Sequence, residues 1–168
     1  MNDQIQLLKW MLEDVRKETL EGVKHLTKEQ LFLNPLEGEF PIGAYLLHFA
    51  EVDIYWLEVL SGNEQPDDLK RKAYSDNWFD PSGKGAPPIE PLEINEYMET
   101  IAMARKNFLD YVLTLKDSDL EENVIRESKS GERKILKKWI IYHILEHEAH
   151  HRGQMFMLIR KAGWNKKK

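Results

Sequence analysis

The sequence predicts an all-α fold, a four-helix bundle, on three observations. Four separate stretches carry apolar side chains at the three-to-four-residue recurrence of an amphipathic helix. Each stretch has a single apolar face, which is buried most economically against the others. The whole chain is 168 residues with 42% hydrophobic and 32% charged side chains, the size and balance of one soluble domain around one core, residues 1–168.

The first helix runs from Asn2 to about His25, with Ile5, Leu8, Leu12, Val15, Thr19 and Val23 on its inward stripe. Thr27-Lys28-Glu29-Gln30 reads as a capping box that opens a short connector helix, closed by Asn34-Pro35. Pro41 suits the first turn of the second long helix. Its stripe is Tyr45, Phe49, Val52, Trp56 and Val59, it stops at Ser61-Gly62-Asn63, and His48 lies within that stripe.

Between Gly62 and Pro91 the composition turns to Pro, Gly, Asp and Lys, which predicts a long loop between helices two and three. Trp78 and Phe79 in this loop need cover, either by packing over the bundle end or as a lid over a pocket. The third long helix spans Glu93 to about Leu115, and the fourth about Leu136 to Ala162, ending at Gly163. Between them, Asn123 to Glu127 and Arg133 to Ile135 flank Ser130-Gly131 as a small hairpin. A long second connection permits a crossover, so periodicity alone leaves the order of the bundle open.

A net charge of −5 argues against a general nucleic-acid binder, and Lys166, Lys167 and Lys168 read as a solvated tail. No apolar run approaches the ~20 residues that span a bilayer, and the amino end lacks a signal-peptide layout, so a cytoplasmic protein with no membrane partner is expected. With no cysteine, any metal must be held by His, Asp or Glu.

Chemistry concentrates in the fourth helix, where residues 139–154 hold four of the six histidines. His147 and His151, four apart, stand one turn above another, ~6 Å along the axis, and can converge on one cation. His147-Glu148-Ala149-His150-His151 also fits the zinc-protease pattern H-E-x-x-H, and His143 to His147 its inverted form. Nothing after His151 is acidic or histidine, so the downstream ligand those enzymes use is missing and a third ligand must lie upstream. His48, on an inward face, is that candidate; its alternative is a hydrogen-bonded core histidine. His143 is the substitute ligand or an orienting neighbour. Glu148 is the candidate base, or else it orients a ligand or pairs with Arg152. Gly153 is read as permitting close helix approach, Arg152 and Gln154 as ties to nearby backbone or, for Gln154, a substrate contact. Tyr45, Tyr55 and Trp56 read as core or interface aromatics.

Three stretches make the chain resemble the DinB-like family. They are Thr27-Lys28-Glu29-Gln30-Leu31, Pro41-Ile42-Gly43-Ala44-Tyr45-Leu46-Leu47-His48 and, above all, His147-Glu148-Ala149-His150-His151-Arg152-Gly153-Gln154. The family includes YfiT-type metal-dependent hydrolases and, more distantly, thiol S-transferases. The resemblance implies a divalent metal on His48, His147 and His151, a crossed up-down-down-up bundle and frequent homodimers. It implies no particular reaction.

A metal on three imidazoles keeps an open position, as catalytic sites do. The expected function is metal-dependent hydrolysis or thiol transfer on a small molecule; the alternative is a non-catalytic dimeric bundle that binds a metal or ligand. Zinc is the first expectation from ligand type, with nickel, iron or manganese also compatible.

Overall fold

A computed structural model describes residues 2–74, 90–128 and 131–165. The elements are α1 (Asp3–Val23), α2 (Lys28–Phe32), α3 (Ile42–Ser61), α4 (Asp67–Tyr74), α5 (Ile94–Val112), a 3-10 turn (Asp117–Glu121), β1 (Asn123–Ser128), β2 (Gly131–Leu136) and α6 (Lys137–Lys161). The four long helices and the hairpin lie where periodicity and turn residues put them. The capping box is complete: the Gln30 amide donates to the Thr27 hydroxyl at 3.2 Å, and the Thr27 amide donates to the Gln30 side-chain oxygen at 3.0 Å. The expected long loop differs, because its first part is the helix α4. Trp78 and Phe79, expected as core cover or as a lid, and the lysine tail lie outside the described residues.

Side-chain contacts fix the order and direction of the helices. Arg16 meets Glu148, Gly22 abuts the Phe156 ring and His25 bonds the Trp164 carbonyl, so α1 and α6 run parallel. Gly43 lies against Tyr97, Asp53 meets Arg105 and the Tyr111 hydroxyl reaches the Leu60 carbonyl, so α3 and α5 are also parallel. Tyr45 faces His151 and Trp56 faces Trp139, which makes α3 antiparallel to α6. The bundle is therefore up-down-down-up. Parallel α3 and α5 oblige the chain to return about 30 Å, one length of α3, before α5 begins. That requirement accounts for the long second connection.

A polar layer divides the core. One apolar cluster gathers Val23, Phe49, Ile54, Tyr97, Ile101 and Met155; the other gathers Leu12, Trp56, Phe108, Ile140 and Ile144. Between them each long helix contributes one buried charge: Arg16, Asp53, Arg105 and Glu148. Arg16 donates through Nε to Glu148 at 2.9 Å and through Nη2 to Asp53 at 3.1 Å. Arg105 clasps Asp53 through Nε and Nη2 at 2.9 and 3.0 Å and reaches Glu148 at 2.8 Å. Each guanidinium also donates to a backbone carbonyl of a facing helix, Arg16 to Ile101 and Arg105 to Leu12. Two positive and two negative groups thus cancel, with every charge hydrogen-bonded, as burial of ions demands.

Small residues matter where helices approach most closely. A Cβ at Gly43 would stand 2.7 Å from the Tyr97 ring, and one at Gly22 2.1 Å from Phe156. Gly153, expected to permit such an approach, is exposed, and a Cβ there would meet nothing within 4 Å. The close packing falls one helix turn away from the motif. Among the described residues, no helix is long and apolar enough to cross a membrane.

Candidate metal centre

Two facing helices build the site. α3 supplies His48 and α6 supplies His147 and His151, whose ring nitrogens all lie within 4.8 Å of one another. Antiparallel packing puts His48 level with the α6 pair, its Nε2 3.1 Å from Nε2 of His147. Tetrahedral coordination at a metal–nitrogen distance near 2.05 Å places ligand nitrogens about 3.3 Å apart, so the His48–His147 separation already suits a shared ion.

Two of the three rings are oriented by neighbours one turn along the same helix. Nδ1 of His48 lies 2.9 Å from a Glu51 carboxylate oxygen, and Nδ1 of His151 lies 2.6 Å from the Gln154 side-chain oxygen. Both oxygens only accept, so each Nδ1 carries a proton, and the tautomer this selects has its lone pair on the inward Nε2. His147 differs, because its Nδ1 is buried without a hydrogen-bond partner. It is held between His48, His151 and the edge of Phe49. Burial, followed by the neighbouring His48 and His151, pushes the His147 ring down to about 3. Burial lowers His151 as well. Rings kept neutral at ordinary pH present lone pairs, which is the state a cation needs. The donor set therefore fits a divalent metal.

His143 lies one turn from His147, with ring centroids 5.8 Å apart, and stacks on Trp139 instead of joining the cluster. His25, the other histidine of the N-terminal half, is tied to the Trp164 carbonyl at 2.8 Å. Glu148 points to the far side of α6. Burial alone would raise its carboxyl, but Arg16 and Arg105 outweigh burial and hold it at about 2. Both of its oxygens accept from these guanidiniums, so it does not pair with Arg152, and a carboxyl held this low is a weak base. Arg152 donates to the Val15 carbonyl at 3.2 Å, a tie to neighbouring backbone as expected.

Sequence reasoning passed over Glu51. The signal is its spacing, three residues after a candidate ligand on one helix, which is the separation at which side chains meet. Glu51→Gln should weaken divalent-metal affinity roughly 10- to 100-fold, the effect typical of removing a carboxylate behind a ligating histidine. Competition with a chromogenic chelator measures it; unchanged affinity would show that Glu51 has no hold on the ligand.

The profile of the DinB superfamily matches residues 11–155. This chain belongs to the DinB superfamily. Two solved structures resemble the DinB fold seen here. A conserved protein from Enterococcus faecalis superposes with a TM-score of 0.71 at 14% identity, over 94% of this chain and 95% of that one. YfiT from Bacillus subtilis, described as a probable metal-dependent hydrolase with an unusual four-helix bundle topology, gives 0.66 at 16% identity, over 98% and 91%. At these identities the likeness carries the DinB fold and no more. No curated protein matches the chain.

Proposed function

We propose that this DinB-superfamily protein is a metal-dependent enzyme acting on a small molecule, by hydrolysis or by transfer of a thiol to an electrophile. The observation that carries this reading is the convergence of His48, His147 and His151 within 4.8 Å, with two of their Nδ1 atoms bound to acceptor oxygens. The description of the structural neighbour YfiT as a probable metal-dependent hydrolase supports it. A divalent ion on three neutral imidazoles supplies Lewis acidity, and zinc is the first expectation for such a ligand set. The chain's own part is to present three lone pairs: Glu51 and Gln154 fix two rings, and burial keeps the third uncharged.

Turnover of metal-loaded protein on panels of esters, amides and electrophile-thiol pairs tests this, with His151→Ala as control. One class should be converted, at a rate that falls to background in the variant. Activity that survives His151→Ala would place the chemistry elsewhere. Silence on every panel would favour a non-catalytic metal- or ligand-binding bundle.

A symmetric dimer and a cytoplasmic setting belong to the same reading. Leu7 and Trp10, one turn apart on α1, are 55% and 60% exposed, which suits a contact surface. Light scattering at micromolar protein should give twice the chain mass; a monomer would remove this part.

A further inference from the structure

The α6 stripe that carries His151 and His147 continues at the same four-residue spacing to His143 and Trp139. Those two rings lie flat on each other, centroids 4.8 Å apart and planes 7° apart. Trp56 of α3 stands edge-on behind both, at 5.6 and 5.7 Å. Trp139 keeps 41% of its surface exposed, so the stacked pair presents an open flat face beside the histidine cluster.

The hairpin sets a cation beside this pair, over the α3 rings behind it. Arg126 of β1 places its guanidinium carbon 5.3 Å from the Tyr55 ring centroid and 5.4 Å from that of Trp56, and its Nε donates to the Tyr55 hydroxyl at 2.5 Å. Its cross-strand partner is Arg133, so two guanidiniums extend from the same side of the hairpin. Like charges directly opposite on a ladder destabilise it. Neither arginine has a carboxylate partner among the described residues, whereas Arg16 and Arg105 are fully engaged. The nearest acids on the hairpin, Glu127 and Glu132, pair on its opposite face and are exposed. Next to this face, on the Arg133 side, a cavity of about 310 Å³ is lined by Asn123 of β1, Arg133 to Leu136 of β2 and Trp139. An oxyanion between the two arginines would relieve their repulsion and match the planar fork of the pinned guanidinium.

We propose that this face, between α3, the hairpin and α6, is the substrate subsite of the protein and takes a small molecule with an oxyanion headgroup and a flat or apolar body. The carboxylate or phosphate lies on Arg126 and Arg133, and the body lies against Trp139 and His143. The reacting group then reaches the histidine cluster one to two helical turns away, ~6–12 Å along α6. Tyr55 and Trp56, expected to be core or interface aromatics, gain a ligand role because the hairpin lays Arg126 over them. The assignment rests on the three histidines being the reaction centre.

Calorimetric titration of the full chain with hippurate, phenyl phosphate and uncharged hippuramide tests it. One or both anions should bind saturably, at least tenfold tighter than hippuramide, and the tighter of the two identifies the headgroup. Arg126→Met should abolish that preference while hippuramide still binds and unfolding stays cooperative; Arg126→Lys, which keeps charge without the fork, should fall between. Equal binding of charged and uncharged probes, no effect of Arg126→Met, or no saturable binding of any probe would overturn the proposal. Arg126-dependent binding without turnover on any panel would leave the subsite standing and remove the enzymatic reading. Turnover with identical KM for anionic and neutral esters in wild type and Arg126→Met would do the reverse.

Discussion

Glu148→Ala should destabilise the bundle by roughly 3–5 kcal/mol, the range for breaking a buried ion pair on one side. A domain of this kind has a total of roughly 5–15 kcal/mol, so much of its stability is at stake. The reason is the charge left behind. Without Glu148, Arg16 and Arg105 remain buried with only Asp53 between them, and Nε of Arg16 loses its acceptor. Removing opposite charges together, as in Arg16→Met with Glu148→Met, leaves Arg105 paired with Asp53 and should cost less than Glu148→Ala alone. Urea denaturation with unchanged m-values measures both. A loss under about 1 kcal/mol for Glu148→Ala would show that the guanidiniums find other partners.

The same group sets an acid limit. Its folded carboxyl lies near 2 against an ordinary 4.5, so its contribution is fully present above about 4.5 and disappears as pH falls toward 2. Glu148→Gln should flatten stability across that window.

His147→Ala should abolish stoichiometric metal. The ring sits between His48 and His151, and without it the two remaining nitrogens lie on different helices with nothing to bridge them. Affinity should fall by more than the ~100-fold that marks the loss of an orienting partner. Elemental analysis of protein purified with and without the substitution decides this; equal metal content would exclude these three residues as the ligand set. Chelation of wild-type protein should lower its thermal midpoint in proportion to the binding free energy withdrawn, while the variant should not respond.

What the sequence disclosed follows from helix geometry. Apolar recurrence placed the long helices because each buries one stripe, and the His147–His151 pair was legible because four residues make one turn. The helix α4 escaped notice: among its described side chains only Leu69 and Ala73 are buried, too few to establish a period within a charged stretch. The charge layer did leave a trace. Arg16 follows Leu12 by four, Asp53 follows Phe49 by four, Arg105 follows Ile101 by four and Glu148 follows Ile144 by four. Each is a charge in the inward phase of its helix, which a reading of charged residues as solvated passes over. Other contacts had no local signature. Asp117 caps α1 from more than a hundred residues away, accepting from the Gln4 and Ile5 amides, and Arg126 meets Trp56 only once the hairpin has docked. Spacing along one helix cannot report encounters between segments.

The parallel pairing of α1 with α6 has a kinetic side. Arg16 and Glu148 are 132 positions apart, so their meeting closes a loop through nearly every other element. Helical bundles usually fold fast because their contacts are local; here the decisive ones are among the most distant the chain can make. During synthesis α6 emerges after the three long helices it completes, and until it docks Arg16, Asp53 and Arg105 carry an excess positive charge. The histidine cluster takes two of its three members from α6 and so assembles in that same late step; uptake of a divalent ion supplied during refolding should therefore report the end of folding.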